Sequence, residues 1–193
     1  MATCARLLYL HGFLSSPQSF KARQVAQWLA ANRPDIEYHC PHLTPYPDET
    51  AEHLLALAHY GKPLYLMGSS LGGFWATWLA EQTGAPAVLI NPAVSPWQFM
   101  PDYLEVDLQG YHTDDTYRLD ATHVAAIQRY DVNPITCLRR LWLLVQQGDE
   151  TLDFRQAVSK YQGAKQTVEP GGDHSFQGFE RYIPDALAFF EKR

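Results

Sequence analysis

Pro63-Leu64-Tyr65-Leu66-Met67-Gly68-Ser69-Ser70-Leu71-Gly72-Gly73-Phe74 decides how the rest of the chain is read. The apolar run up to Met67 predicts a short buried strand, and the residues after Gly73 predict a helix with Phe74 and Trp78 on one face. Between them, Gly68-Ser69-Ser70-Leu71-Gly72 fits G-x-S-x-G, the spacing of a sharp strand-to-helix turn that holds a serine in a strained conformation. Gly68 and Gly72 lack the β-carbons that would collide as strand and helix converge, so the turn lifts the Ser70 hydroxyl above the strand end. The free N–H groups of the new helix then point at whatever is bonded to that oxygen. A glycine-rich turn of this pattern also arises by chance. Its weight comes from its place between strand and helix, and from an acid and a histidine in suitable order downstream.

Working outward, the 193 residues suit one domain with a sizeable core, and 46% hydrophobic with 13% aromatic residues suits a folded globule. The charge of −6, from 21 acidic against 15 basic residues, has no long run of one sign and offers nothing to nucleic acid phosphates. Cys4, Cys40 and Cys137 are widely spaced without C-x-x-C, which suits reduced thiols. Neither a signal peptide nor an apolar run of membrane-spanning length is evident, so a soluble, cytoplasmic protein with no membrane partner is expected.

Towards the N-terminus, Leu7-Leu8-Tyr9-Leu10 predicts a strand, followed by His11-Gly12-Phe13 and a helix capped by Ser16 with Pro17 first inside it. Ile36–Cys40 alternates as a strand, and Pro47-Asp48-Glu49 opens a second helix. Beyond the serine turn, Ala87–Ile90 is a buried strand ending at Asn91-Pro92. Residues 92–140 break the rhythm. This segment is rich in aromatic residues, with a helix expected at Ala121–Gln128, and is read as a small cap. Strand and helix resume with Leu141–Val145, Phe154–Tyr161, Gln166–Val168 and a last helix bearing Phe179, Ile183, Leu187 and Phe190. Such alternation predicts a three-layer α/β/α sandwich with a mostly parallel sheet of about six strands, its active site at the carboxyl ends of the strands. The expected organisation is one domain over 1–193 with 92–140 as its cap.

A serine hydroxyl becomes a useful nucleophile once a base takes its proton and an acid orients that base. His174, in the loop Gly171-Gly172-Asp173-His174-Ser175-Phe176, is the candidate base. Asp149, Glu150 and Asp153 compete for the acid, and Asp149 lies nearest the strand Leu141–Val145, while Asp153 sits where it can cap the next helix. The backbone N–H groups of Leu71 and Phe13 are the expected oxyanion donors, and Trp97 and Phe99 the expected substrate contacts. His11 is read as a packing residue of its loop. His39-Cys40-x-His42 and the set His112, Asp114, Asp115 and His123 have ligand types for a metal, but their spacings do not recur in pairs, so no metal and no cofactor are expected.

The order Ser70, Asp149, His174 resembles that of the α/β-hydrolase superfamily over nearly the whole chain. More narrowly, Leu8-Tyr9-Leu10-His11-Gly12-Phe13, Gly68–Gly73, Asn91-Pro92-Ala93-Val94, Gln147-Gly148-Asp149-Glu150 and Gly171–Phe176 resemble the small bacterial YqiA/YcfP-like esterases. That resemblance implies a carboxylic ester or acyl thioester substrate and carries Ser70, Asp149 and His174 over as a catalytic triad. Relative to larger members, it also implies a reduced fold without the leading antiparallel strands. The expected activity is a serine esterase working through an acyl-enzyme. The alternative is a non-catalytic binding protein that keeps the serine turn as architecture.

Overall fold

The computed structural model describes residues 4–59 and 61–192. Among them, six strands form one parallel sheet: β1 (Ala5–Leu10), β2 (Ile36–His39), β3 (Leu64–Ser69), β4 (Ala87–Ile90), β7 (Leu141–Gln146) and β8 (Lys165–Glu169), in the order β2-β1-β3-β4-β7-β8. The four inner strands, β1, β3, β4 and β7, are largely apolar and buried because helices cover both faces, whereas the edge strands β2 and β8 carry polar residues. On β7, Leu141, Leu143 and Val145 share a core with α2 (Pro47–Ala58), α3 (Leu71–Thr83) and α5 (Phe154–Lys160), while Trp142 and Leu144 pack with α1 (Phe20–Asn32) and α6 (Ile183–Glu191). The same two-residue alternation divides Leu8 and Leu10 from Leu7 and Tyr9 on β1. The result is the expected three-layer α/β/α arrangement.

Between β4 and β7 the chain leaves the sheet. Two short antiparallel strands, β5 (Asp107–Gln109) and β6 (Thr116–Arg118), precede α4 at Ala121–Gln128, where the sequence places a helix. The strand pair was not legible, because three-residue strands carry too few alternations to register. This excursion explains why α3 is buried all round from Leu71 to Ala80 rather than on one face. Trp75 and Trp78 pack against Tyr130, and Phe74 packs against Trp97.

One helix start differs from expectation. α1 begins at Phe20 with Ser19 as its N-cap, three residues later than Ser16-Pro17 suggests. The buried Ser16 hydroxyl instead closes a turn by accepting from the Gln18 N–H at 3.1 Å. The delay brings Ser19, Phe20 and Lys21 to the rim at the carboxyl ends of the strands. No helix among the described residues is long and apolar enough to cross a membrane.

Candidate active site

Ser70 follows the last residue of β3 and is the N-cap of α3, with φ 54° and ψ −122°. A non-glycine residue in that region is strained by about 1–3 kcal/mol and persists only where its surroundings over-determine it. Here the Ser70 N–H donates to the Ile90 carbonyl, while its own carbonyl accepts from Gly73 and Ala93 N–H groups. The flanking glycines are required by approach rather than by dihedral. A β-carbon on Gly72 would lie 1.9 Å from the Leu10 carbonyl oxygen, and one on Gly68 would lie 2.1 Å from that of Gly72.

The hydroxyl so presented meets His174. Its Oγ lies 3.1 Å from His174 Nε2, and Nδ1 of the same ring lies 2.9 and 3.0 Å from the two carboxylate oxygens of Asp149. A carboxylate accepts, so Nδ1 carries the proton and Nε2 is left to accept from the serine. The Asp149 side chain is buried, and its Oδ1 also accepts from the Thr151 and Leu152 N–H groups at 2.9 and 2.8 Å. Asp153 makes no contact with this chain: its carboxylate accepts from Arg155 N–H at the start of α5 and pairs with the Arg155 guanidinium. Glu150 is exposed yet accepts from the His174 N–H at 3.0 Å, tying the histidine loop to the Asp149 turn.

The loop after β1 closes over the serine. A β-carbon on Gly12 would lie 3.3 Å from Ser70 Cβ, so the backbone leading to Phe13 passes beside the hydroxyl. Among the described residues neither the Phe13 nor the Leu71 N–H finds a backbone acceptor. His11 anchors this loop from beneath. Its Nε2 accepts from the Leu43 N–H at 2.9 Å and its Nδ1 donates to the Gly12 carbonyl.

Burial holds the His11 imidazole down at about 4, with His42 and His112 adding to it and the Gly12 carbonyl opposing. An unfolded histidine protonates near 6.5, so between those values acid favours the unfolded state. The stability is present above about pH 6.5 and is lost as pH falls towards 4. Unfolding free energies measured in urea should fall by about 2 kcal/mol on His11's account between pH 6.5 and 4.5. His11→Gln should flatten the slope by that amount, and an unchanged slope would remove His11 as its source.

A cleft of about 700 Å³ opens over Ser70 and His174. Phe13, Phe99, Tyr103 and Tyr111 form its aromatic part, with Phe13 edge-on to Phe99 and Tyr103 at ring separations of 6.2 and 5.2 Å. Trp97 is not among the residues lining it. Its ring turns inward against Phe74, because the short helical turn Pro96–Gln98 directs Trp97 to the α3 side. No group of three or more His, Cys, Asp or Glu among the described residues is placed to hold a metal ion. His42 Nε2 lies 2.9 Å from the Tyr117 hydroxyl, and His123 completes the capping box of α4 with Asp120.

The model of an uncharacterised protein family, UPF0227, matches residues 6–191. The chain belongs to the UPF0227 family. A UPF0227 protein of Shewanella baltica strain OS185 is 26% identical over 194 residues, covering 95% of this chain and 98% of that one. Among solved structures, Est1E from Butyrivibrio proteoclasticus superposes with a TM-score of 0.71 at 16% identity, covering 99% of this chain and 87% of that one. Mouse alpha/beta hydrolase domain-containing protein 10 gives 0.71 at 16% identity over 95% and 89%. A structure from work on the metagenome-derived lipolytic enzymes LipS and LipT gives 0.67 at 19% over 100% and 96%. The UPF0227 chain thus has a reduced α/β-hydrolase fold, with a six-stranded sheet among the described residues.

Sequence reasoning placed Asn91 at a strand end but missed its role in this site, and missed that of Gln146 as well. The buried Asn91 donates through Nδ2 to the carbonyls of Asp173 and His174 and accepts at Oδ1 from the Gln146 N–H. The buried Gln146 accepts from the Asp173 and Gln177 N–H groups and donates to Glu169. Together they fix the histidine loop on the ends of β4, β7 and β8. The signal available was a polar residue closing an apolar strand in each case, since a buried amide must be fully partnered.

Proposed function

We propose that this protein is a serine hydrolase that cleaves carboxylic esters through an acyl-enzyme, with Ser70 as nucleophile, His174 as base and Asp149 as the acid that orients it. The observation that carries the reading is the unbroken hydrogen-bonded chain from Ser70 Oγ through His174 to Asp149 at the floor of an aromatic cleft. As Ser70 Oγ attacks the carbonyl carbon, its proton passes to His174 Nε2, and Asp149 stabilises the imidazolium. The carbonyl oxygen takes up negative charge facing the N–H groups of Phe13 and Leu71. Collapse of that intermediate expels the alcohol, which takes the proton from Nε2. Water then repeats the sequence on the acyl-enzyme and frees the acid and the serine. No cofactor enters any step. The same steps serve an acyl thioester, where a thiol leaves.

The names of Est1E and of the lipolytic enzymes support this class of chemistry by analogy of fold. A fluorophosphonate probe and a panel of aryl esters test it. Labelling together with ester turnover is the expected result, and a chain that binds esters without labelling or turnover would be a binding protein that keeps the serine turn as architecture.

Residues 92–140 act as a cap on a single domain, supplying Phe99, Tyr103 and Tyr111 to the acyl pocket. Phe99→Ala should shift the preference among acyl chain lengths towards longer chains by about tenfold in relative kcat/KM, while Ser70 still labels. Trp97→Ala should instead lower the melting temperature through lost packing on Phe74. Equal relative rates across C2 to C8 esters in Phe99→Ala would exclude Phe99 from the acyl pocket.

A further inference from the structure

The cleft is not aromatic throughout. Beside the aromatic wall it is lined by Tyr9, Ser15, Ser19 and Lys21, none of which the proposed chemistry uses. The Tyr9 side chain is wholly buried, and among the described residues its hydroxyl has no hydrogen-bond partner. The Ser69 side chain acts on it without meeting hydrogen-bond geometry. Burial raises this phenol far above its ordinary range, so it is a neutral O–H donor with nothing to donate to.

Lys21 lines the same cleft. Its Nζ donates to the Ser175 carbonyl at 2.7 Å, one residue beyond His174, and two of its three protons remain. Burial pulls the ammonium down to about 8 although Asp173 and Asp149 raise it, and among the described residues no carboxylate forms an ion pair with it. Asp149 is committed to His174, and Asp173 takes Gln177 Nε2 on one oxygen while leaving the other buried and unpartnered. The first turn of α1 holds no acidic residue, and Ser19 makes no side-chain capping bond, so the positive end of a 13-residue helix opens on the same cleft. A cation, a helix N-terminus and an orphan hydroxyl donor thus line one cleft, and the carboxylates that act on the cation, Asp173 and Asp149, form no ion pair with it.

We propose that the cleft takes substrates carrying a second, anionic oxygen group, a carboxylate or a phosphate, held by the Lys21 ammonium and the Tyr9 hydroxyl while the scissile ester lies against Ser70. The inference rests on the esterase reading for the word substrate, and on the cleft alone for the anion site.

Calorimetric titration of Ser70→Ala, which cannot turn over, with glutarate and with inorganic phosphate separates the two. Millimolar binding of at least one anion is expected, the tighter one naming the group. It should weaken by about tenfold in Ser70→Ala/Lys21→Met and severalfold in Ser70→Ala/Tyr9→Phe. On the Ser70 background, a monoaryl glutarate should be preferred over its methyl ester through a lower KM. Lys21→Met should erase that ratio and Lys21→Arg should restore it. If neither anion binds, or if Lys21→Met lowers both esters by one factor and spares anion binding, the site is overturned and Lys21 only tethers the Ser175 loop. Should Lys21→Met fail to fold, Tyr9→Phe and Lys21→Arg carry the same decision. Lysine-dependent anion binding in a chain that neither labels nor hydrolyses any ester would leave the anion site standing and remove the esterase.

Discussion

Ser70→Ala should lower ester turnover by about 10⁴-fold or more and abolish fluorophosphonate labelling, with the melting temperature kept or slightly raised. Among the described residues, only Ser70 has its hydroxyl within hydrogen-bond distance of His174 Nε2. Alanine deletes that oxygen and nothing else. The Ser70 backbone, pinned by Ile90, Gly73 and Ala93, keeps its positive φ in the variant. Ser69 is the control. It precedes Ser70 at the end of β3, its side chain is buried, and among the described residues it makes no hydrogen bond to His174, so Ser69→Ala should retain turnover within about tenfold. A Ser69→Ala variant as dead as Ser70→Ala, or a Ser70→Ala variant with near-normal turnover, contradicts the assignment.

Asp149→Asn should lower kcat by about 10³ to 10⁴. The Asp149 carboxylate accepts both from His174 Nδ1 and from the Thr151 and Leu152 N–H groups. An asparagine has one carbonyl oxygen, and the two backbone donors claim it. Its NH₂ then faces His174, which presents a lone pair at Nδ1 and a proton at Nε2, the wrong tautomer for drawing a proton from Ser70. Asp153→Asn should cost less than about threefold, because asparagine caps α5 as well as aspartate does and the Arg155 pair is solvent-exposed. Steady-state kinetics of the two variants decide between the carboxylates: a large loss in Asp153→Asn with near-normal turnover in Asp149→Asn would transfer the role.

The parts that were legible in the sequence have local causes. Gly68 to Gly72 specify the turn because only residues without a β-carbon fit against Leu10 and Gly72. The inner strands of the sheet read as apolar runs because both faces are covered, the edge strand β2 read from its alternation, and α2, α4 and α5 begin at or beside Pro47, Asp120 and Asp153, where their capping residues or prolines stand. What stayed hidden depends on contacts distant along the chain. Lys21 reaches Ser175 across 154 positions and Asn91 reaches Asp173 across 82, and no local pattern encodes either bond. The direction of Trp97 was likewise set by a partner, Phe74, rather than by its own neighbours. The α1 start moved for a smaller reason: Ser16 has the chemistry of a helix cap and of a turn, and Gln18 took it as a turn.

In the proposed mechanism Ser70 is the residue that becomes acylated. Mass spectrometry of the intact protein after brief exposure to an activated aryl ester, followed by peptide mapping, reads this directly. One acyl group on Ser70 that builds up in the unaltered protein at low temperature, decays with release of acid and is absent in Ser70→Ala is the predicted result. An adduct on Ser69, or hydrolysis of the ester with no acyl-protein at any time, would contradict it.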